Sequence, residues 1–132
     1  MIESYSQIFQ NLKKDIYSNV YLLMGEETFY VDKISNHIED NFIDENLKSF
    51  NQEVRYGRDS DIKSIISSCN SFPMMSDKKL IVVNEAKVMD FFKRSNEKNI
   101  ELFNNYLEKP NTSSLLVICH KNNSLEKRSK LY

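Results

Sequence analysis

The sequence predicts an α/β fold, a mainly parallel sheet flanked by helices, and three observations carry that expectation. Three apolar runs stand out: Val20-Tyr21-Leu22-Leu23-Met24, Leu80-Ile81-Val82-Val83 after Lys79, and Leu115-Leu116-Val117-Ile118-Cys119 after Ser114. None alternates with polar residues, which is how a strand covered on both faces reads. Between the runs, apolar residues recur every three or four positions, the period of a helix packed along one stripe. Strand and helix patterns alternate over 132 residues, enough for one core, so residues 1–132 are taken as a single domain with right-handed crossovers.

Taken in order, Ile8, Phe9, Leu12 and Ile16, preceded by Tyr5, predict an amphipathic helix over about residues 4–14, ended by Ser18-Asn19. The run 20–24, stopped by Gly25, is expected to be a central strand. Glu26-Glu27-Thr28 opens the next helix, its acids suiting the positive end of the helix dipole, and Val31, Ile34, Ile38 and Phe42 form its buried stripe. Residues 50–56 alternate loosely and fit a short strand closed by Gly57-Arg58-Asp59. Asp59 or Ser60 is expected to cap a helix with Ile62, Ile65, Ile66 and Cys69 on one stripe. Residues 71–77 form a loop, because Pro73 lacks an N–H and biases Phe72 toward an extended backbone. The second buried strand covers 79–83. Val88, Met89, Phe91 and Phe92 suggest a short apolar turn or helix, and 93–99 is a solvated stretch. Ile100, Phe103 and Leu107 mark a helix ended by Pro110-Asn111, and 114–119 is the third buried strand. The charged segment 121–132, with only Leu125 and Leu131 to bury, looks like a helix start.

Composition narrows the function classes. The formal charge is −1, from 18 basic and 19 acidic side chains, so no global field gathers nucleic acid. The basic residues Lys121, Lys127, Arg128 and Lys130 read as a solvated helix face. Cys69, Cys119, His37 and His120 include no pair at metal-ligand spacing, and the adjacent Cys119 and His120 point to opposite faces of a strand. Buried thiols are the expectation, although one Cys69–Cys119 disulfide is possible on count. The N-terminus Met-Ile-Glu-Ser-Tyr has neither a basic region nor an apolar run, and no apolar stretch approaches the ~20 residues of a membrane span. A soluble, cytoplasmic protein without membrane contact is expected.

Two strand ends deserve comparison with nucleotide sites. A phosphate loop of the Walker A type needs Gly-x-x-x-x-Gly-Lys followed by Ser or Thr. Here Met24-Gly25-Glu26-Glu27-Thr28 sets two carboxylates where phosphate charge would sit, with no lysine before Lys33. At about 4 Å and an effective dielectric of about 20, each like-charge contact costs about 4 kcal/mol. Leu80-Ile81-Val82-Val83-Asn84-Glu85 resembles a Walker B strand, but Asn84 replaces the metal-binding carboxylate and a neutral amide lacks the charge that Mg²⁺ favours. Both elements read as degenerate, with Gly25, Glu26, Glu27, Asn84 and Glu85 as remnants and no cofactor. A third feature is Phe72-Pro73-Met74-Met75, apolar where a turn is normally polar. It either covers the core rim or projects as a plug for a partner's pocket, a role that the adaptable Met thioether suits, with Lys78 and Lys79 as a basic rim.

These segments, with Ser71 to Ala86, Tyr106-Leu107, Pro110, Thr112, Leu115-Leu116-Val117 and Lys127-Arg128, run in an order and spacing that resembles the N-terminal domain of the delta subunit of bacterial DNA polymerase III. The resemblance extends over about residues 18–131. It implies an AAA+-like fold that has lost ATP binding, in a clamp-loader component that makes and breaks no bond. It also implies that Phe72, Pro73, Met74 and Met75 are clamp-binding, with Met74 and Met75 as the apolar pair entering the pocket of the ring-shaped beta sliding clamp and helping it to open. Implied partners are that clamp, the other clamp-loader subunits through C-terminal domains not seen in this sequence, and DNA through the assembled loader. The last strand expected of the fold and its lid and collar domains would then be missing. Two other readings stay open beside it: a P-loop-type nucleotide-dependent enzyme, and a nucleic-acid-binding module.

Overall fold

The three apolar runs become strands of one sheet, and a fourth strand joins them at its margin. The computed structural model describes residues 5–24, 28–73, 78–86 and 97–120. In chain order these form α1 (Tyr5–Lys13), β1 (Val20–Met24), α2 (Thr28–Asn41), a 3-10 turn (Glu45–Leu47), α3 (Lys48–Asn51), β2 (Gln52–Tyr56), a second 3-10 turn (Gly57–Asp59), α4 (Ile62–Asn70), β3 (Lys79–Asn84), α5 (Glu97–Glu108) and β4 (Ser114–His120). The strands lie in the order β1-β4-β3-β2, every neighbouring pair parallel. Leu116 stands beside Val20 on one side and Ile81 on the other, and Val82 stands beside Val54.

Alternation along β3 and β4 feeds two cores. Ile81, Val83, Leu116 and Ile118 pack with Ile62, Ile65, Ile66 and Cys69 of α4 and with Ile100, Phe103 and Tyr106 of α5. Leu80, Val82, Leu115, Val117 and Cys119 pack on the opposite face with Leu12 of α1 and Val31, Ile34 and Ile38 of α2. Each fully buried aliphatic side chain contributes about 1.5–3 kcal/mol, so these two strands, covered on both faces, are the centre of the molecule's stability. The expected α/β class and parallel sheet are therefore the observed ones.

Several local expectations change. The run 20–24 is a strand but not a central one: β1 lies at the margin of the described sheet, because β2 forms at the far side and the later strands fill inward. Its Tyr21 and Leu22 are accordingly only half-buried. Helix α1 ends at Lys13, before Ser18-Asn19. Asp15 takes a left-handed φ of 59°, its N–H reaches Leu12 O at 3.0 Å, and Ile16 N–H reaches Asn11 O at 2.9 Å. That is a Schellman closure, and it leaves Ile16 53% exposed instead of on the buried stripe. The cap of α4 is Asp61, not Asp59 or Ser60; Asp59 is taken up in the preceding 3-10 turn and Ser60 ends it. On α5 the third buried position is Tyr106, while Leu107 is 41% exposed, because the helical stripe 100, 103, 106 turns Leu107 outward. Helix α5 also begins at Glu97, inside the stretch read as solvated. The apolar residues 88, 89, 91 and 92 and the basic segment 121–132 lie outside the described residues. Cys69 and Cys119 are both free and buried, and they belong to cores on opposite faces of the sheet, which rules out the disulfide. No helix among the described residues is long and apolar enough to cross a membrane.

Candidate functional site

The segment that stands out chemically is the exit of α4. Four residues before the loop, the helix must satisfy carbonyls that have no partner within it. Ser68 O accepts from Ser71 Oγ at 2.7 Å and from Lys79 Nζ at 3.1 Å, and Lys79 Nζ also reaches Ser71 Oγ. Cys69 O accepts from Ser114 Oγ at 2.5 Å and Asn111 Nδ2 at 2.9 Å. An ammonium at the negative end of the helix dipole adds to the hold. The first residue of β3, the start of β4 and the turn before it thus grip the end of α4 from three sides.

Beneath this grip, Tyr106 and Cys69 meet side chain to side chain. Burial pushes the Cys69 thiol up to about 11 and the Tyr106 hydroxyl up to about 12, so both stay protonated at neutral pH. The Tyr106 hydroxyl also accepts from Asn111 N–H at 3.3 Å, and Asn111 Oδ1 accepts from Ser113 N–H at 3.1 Å. The turn that supplies Asn111 to α4 is therefore itself anchored.

From this anchored base the chain projects Phe72, 89% exposed and the most exposed of the large hydrophobic residues described, with Pro73 half-buried after it. A phenyl ring left in water at the end of a well-held helix has no packing role in the chain itself, which weighs against the core-rim reading for Phe72. Met74 and Met75 lie outside the described residues. Lys79, expected on a basic rim, is instead committed to the end of α4, and Lys78 lies over the Phe42 ring at 5.2 Å.

Beside the loop base an open groove of about 540 Å³ runs along α4, lined by Arg55, Asp61, Lys63 and the serines 64, 67, 68 and 71. Arg55 Nη1 donates to Ser64 Oγ at 3.2 Å and Nη2 to Ser68 Oγ at 2.7 Å, while its Nε pairs with Glu53. Burial alone would raise the Glu53 carboxyl; the hydrogen bond and charge of Arg55, with Lys79 and Ser68, outweigh it and hold it below the usual carboxylate range. Of the side chains lining the groove, Arg55, Asp61, Ser64, Ser68 and Ser71 are hydrogen-bonded to one another or to neighbouring groups.

The nucleotide-site remnants are placed in part. Asn84 ends β3, half-buried and in register with Tyr56, and Glu85 follows it, exposed, with a left-handed φ of 57°. Both lie at the C-terminal edge of the parallel strands, where α/β sheets bind ligands. The end of β1 lies on the same edge with β4 between, so His120, 7% exposed at the end of β4, stands between the end of β1 and the end of β3. Gly25, Glu26 and Glu27 lie outside the described residues. Among the described residues no three His, Cys, Asp or Glu side chains are grouped to hold a metal ion.

Sequence reasoning singled out Phe72 from its context but missed the residues that hold the end of α4 before it. Asn111 and Ser114 act on Cys69 across 42 and 45 positions. No local pattern announces contacts of that range.

Known proteins resemble the chain as follows. The DNA polymerase III subunit delta of Bacillus subtilis (strain 168) is 25% identical over 126 residues, covering 94% of this chain and 36% of that protein. In fold, the chain matches the solved structure of the Bacillus subtilis DNA clamp loader delta protein with a TM-score of 0.81 at 24% identity, over 97% of this chain and 38% of that one. The chain thus spans little more than a third of the length of these relatives. The model of the family described as DNA polymerase III, delta subunit matches residues 21–132, and on that match the chain belongs to the DNA polymerase III delta-subunit family.

Proposed function

We propose that this chain is a clamp-contacting domain of a replicative clamp loader, a binding module that turns over no nucleotide. The observation that carries the reading is Phe72, 89% exposed on an apolar loop whose base is held by Lys79, Asn111 and Ser114. Family membership and the likeness to a clamp loader delta protein support this class of partner, a ring-shaped sliding clamp, together with other loader subunits and, through them, DNA. Phe72 and Pro73, continued by Met74 and Met75, act as the anchor. A held base lowers the ordering cost of docking, so more of the apolar contact appears as affinity. Clamp opening then follows from differential binding: a surface that fits the opened ring better than the closed one shifts the ring toward opening by that difference in free energy.

The nucleotide-site remnants support a scaffold retained for shape. Asn84 has no charge to offer Mg²⁺, and Glu26-Glu27 repels phosphate. Titrating the cognate clamp with the chain in a calorimeter tests the anchor. Losing a central apolar anchor costs 2 kcal/mol or more, so Phe72→Ala combined with Met74→Ala and Met75→Ala weakens binding about 30-fold or more. Unchanged binding overturns the reading. Melting curves with and without Mg-ATP are expected to coincide; a rise of several degrees would restore the nucleotide-dependent alternative.

A further inference from the structure

Parallel strands all begin at one edge of their sheet, so the residues leading into β1, β2, β3 and β4 share that edge. Among the described residues, three large hydrophobic side chains more than half exposed stand there: Ile16 at 53% before β1, Phe50 at 56% before β2 and Phe72 before β3. Phe29, 61% exposed, opens α2 at the opposite edge. The backbone itself sets the exposure of Ile16 and Phe50. The closure of α1 turns Ile16 outward, and the four-residue α3 buries Asn51, whose Nδ2 donates to Leu47 O at 3.3 Å, while leaving the adjacent Phe50 in water. An amide inside and a phenyl ring outside reverse the usual order of burial, which points to a partner beyond the chain. Neighbouring strands lie about 4.8 Å apart, so the entries to β1 and β2 are separated by about 14 Å, with that of β3 between them.

We propose that Ile16 and Phe50 are further clamp-contacting residues on either side of Phe72, so that the docking surface is the whole strand-entry edge and not the loop alone. This rests on the clamp-contacting reading of the Phe72 loop. Continuity selects the same occupant: a folded partner that receives Phe72 brings its surface against side chains on the neighbouring strand entries, and the span is well within an interface of about 800 Å² per partner. The edge is also supported as one piece. Tyr17, beside Ile16, packs edge-on against Phe42 at 4.8 Å between ring centres, and Lys78, on the far arm of the loop, lies over the same Phe42 ring at 5.2 Å. A single inserted ring leaves the domain able to swivel about it. Contacts on both sides fix the orientation, and a fixed orientation is what lets a docked surface fit one ring geometry better than another. Phe72 is then the central anchor, with Ile16 and Phe50 as the flanking apolar contacts that exclude water around it.

Calorimetric titration of the cognate clamp with Ile16→Ala, Phe50→Ala, the pair of them and Phe29→Ala tests this beside the loop variant. Each of the first two is expected to raise the dissociation constant about fivefold and the pair about 25-fold, since the sites are separate, while Phe29→Ala at the opposite edge binds as the parent does. All three side chains are substantially exposed, so the melting temperatures of the variants should stay close to the parent's. Hydrogen exchange on the unaltered chain supplies a reading that needs no variant: the amides of 16–18 and 48–51 become protected when the clamp is added, those of 29–32 do not. If the loop variant weakens binding while Ile16→Ala and Phe50→Ala bind as the parent does, or if Phe29→Ala weakens binding as much as they do, this proposal is overturned and the loop anchor stands. A parent chain that does not bind the clamp, or a loop variant that binds it unchanged, overturns the clamp-contacting reading and this proposal with it.

Discussion

Asp61 shows how one residue sets both a boundary and a pH dependence. Its side chain accepts from Ser64 N–H at 2.8 Å while Ser64 Oγ turns back toward Asp61, a reciprocal cap for the first turn of α4. The Ser64 backbone hydrogen bond, then its hydroxyl, hold the Asp61 carboxyl below its ordinary value of 3.8. A carboxylate with a depressed folded pKa adds stability that is complete above the unfolded pKa and is lost as pH falls through the folded one. Asp61→Ala should therefore cost about 1 kcal/mol at pH 7, about 4 °C in melting temperature, and the gap between parent and variant should close below about pH 4. Thermal melts of both proteins from pH 7 to pH 2 check it. Cys69 is the contrasting case: with its thiol pushed up to about 11 by burial, almost no thiolate exists at pH 8. A disulfide reagent should leave Cys69 unmodified in the folded chain and react once denaturant is added; rapid native-state labelling of Cys69 would contradict the buried assignment.

At the scale of elements, the end of α4 depends on groups distant in sequence. Cys69 O is held by Ser114 Oγ and Asn111 Nδ2 together, so either single loss leaves one donor in place. Ser114→Ala and Asn111→Ala should each cost about 1 kcal/mol, and the double variant more than the sum, because only then is the carbonyl left unpaired in a buried setting. Urea denaturation of the four proteins measures the difference. Helix periods were readable because one stripe must face the sheet: Val31, Ile34 and Ile38, and Ile62, Ile65, Ile66 and Cys69, occupy the buried positions that their spacing predicts. Boundaries were less readable. Local hydrogen bonding decided them, as at Asp15 and Asp61, where a left-handed residue and a reciprocal cap ended or began a helix without an apolar signal.

For the whole molecule, β3 and β4 carry both cores. Leu116, 0% exposed and flanked by β1 and β3, should lose about 2–5 kcal/mol on truncation to Ala, a large share of the 5–15 kcal/mol that such domains hold. Leu107→Ala on exposed α5 surface should stay within about 0.5 kcal/mol. Chemical denaturation separates the two, and equal losses would mean that the buried centre has been misplaced.

The α/β class, the strands β1, β3 and β4 and the helices between them were legible in the order of the residues alone, because a continuous apolar run and a helix covered on one stripe leave different periods in the chain. The unusual apolar loop at Phe72 was legible for the same reason, as a break in the expected polarity of a turn. Lateral strand order was not, since β1 and β4 carry equally apolar runs and only the crossovers decide which is central. The hold on the loop, made by Lys79, Asn111 and Ser114 on carbonyls of α4, and the edge that Ile16, Phe50 and Phe72 share likewise exist only after folding. Contacts between residues tens of positions apart depend on how packed layers bring them together, and no local spacing encodes that.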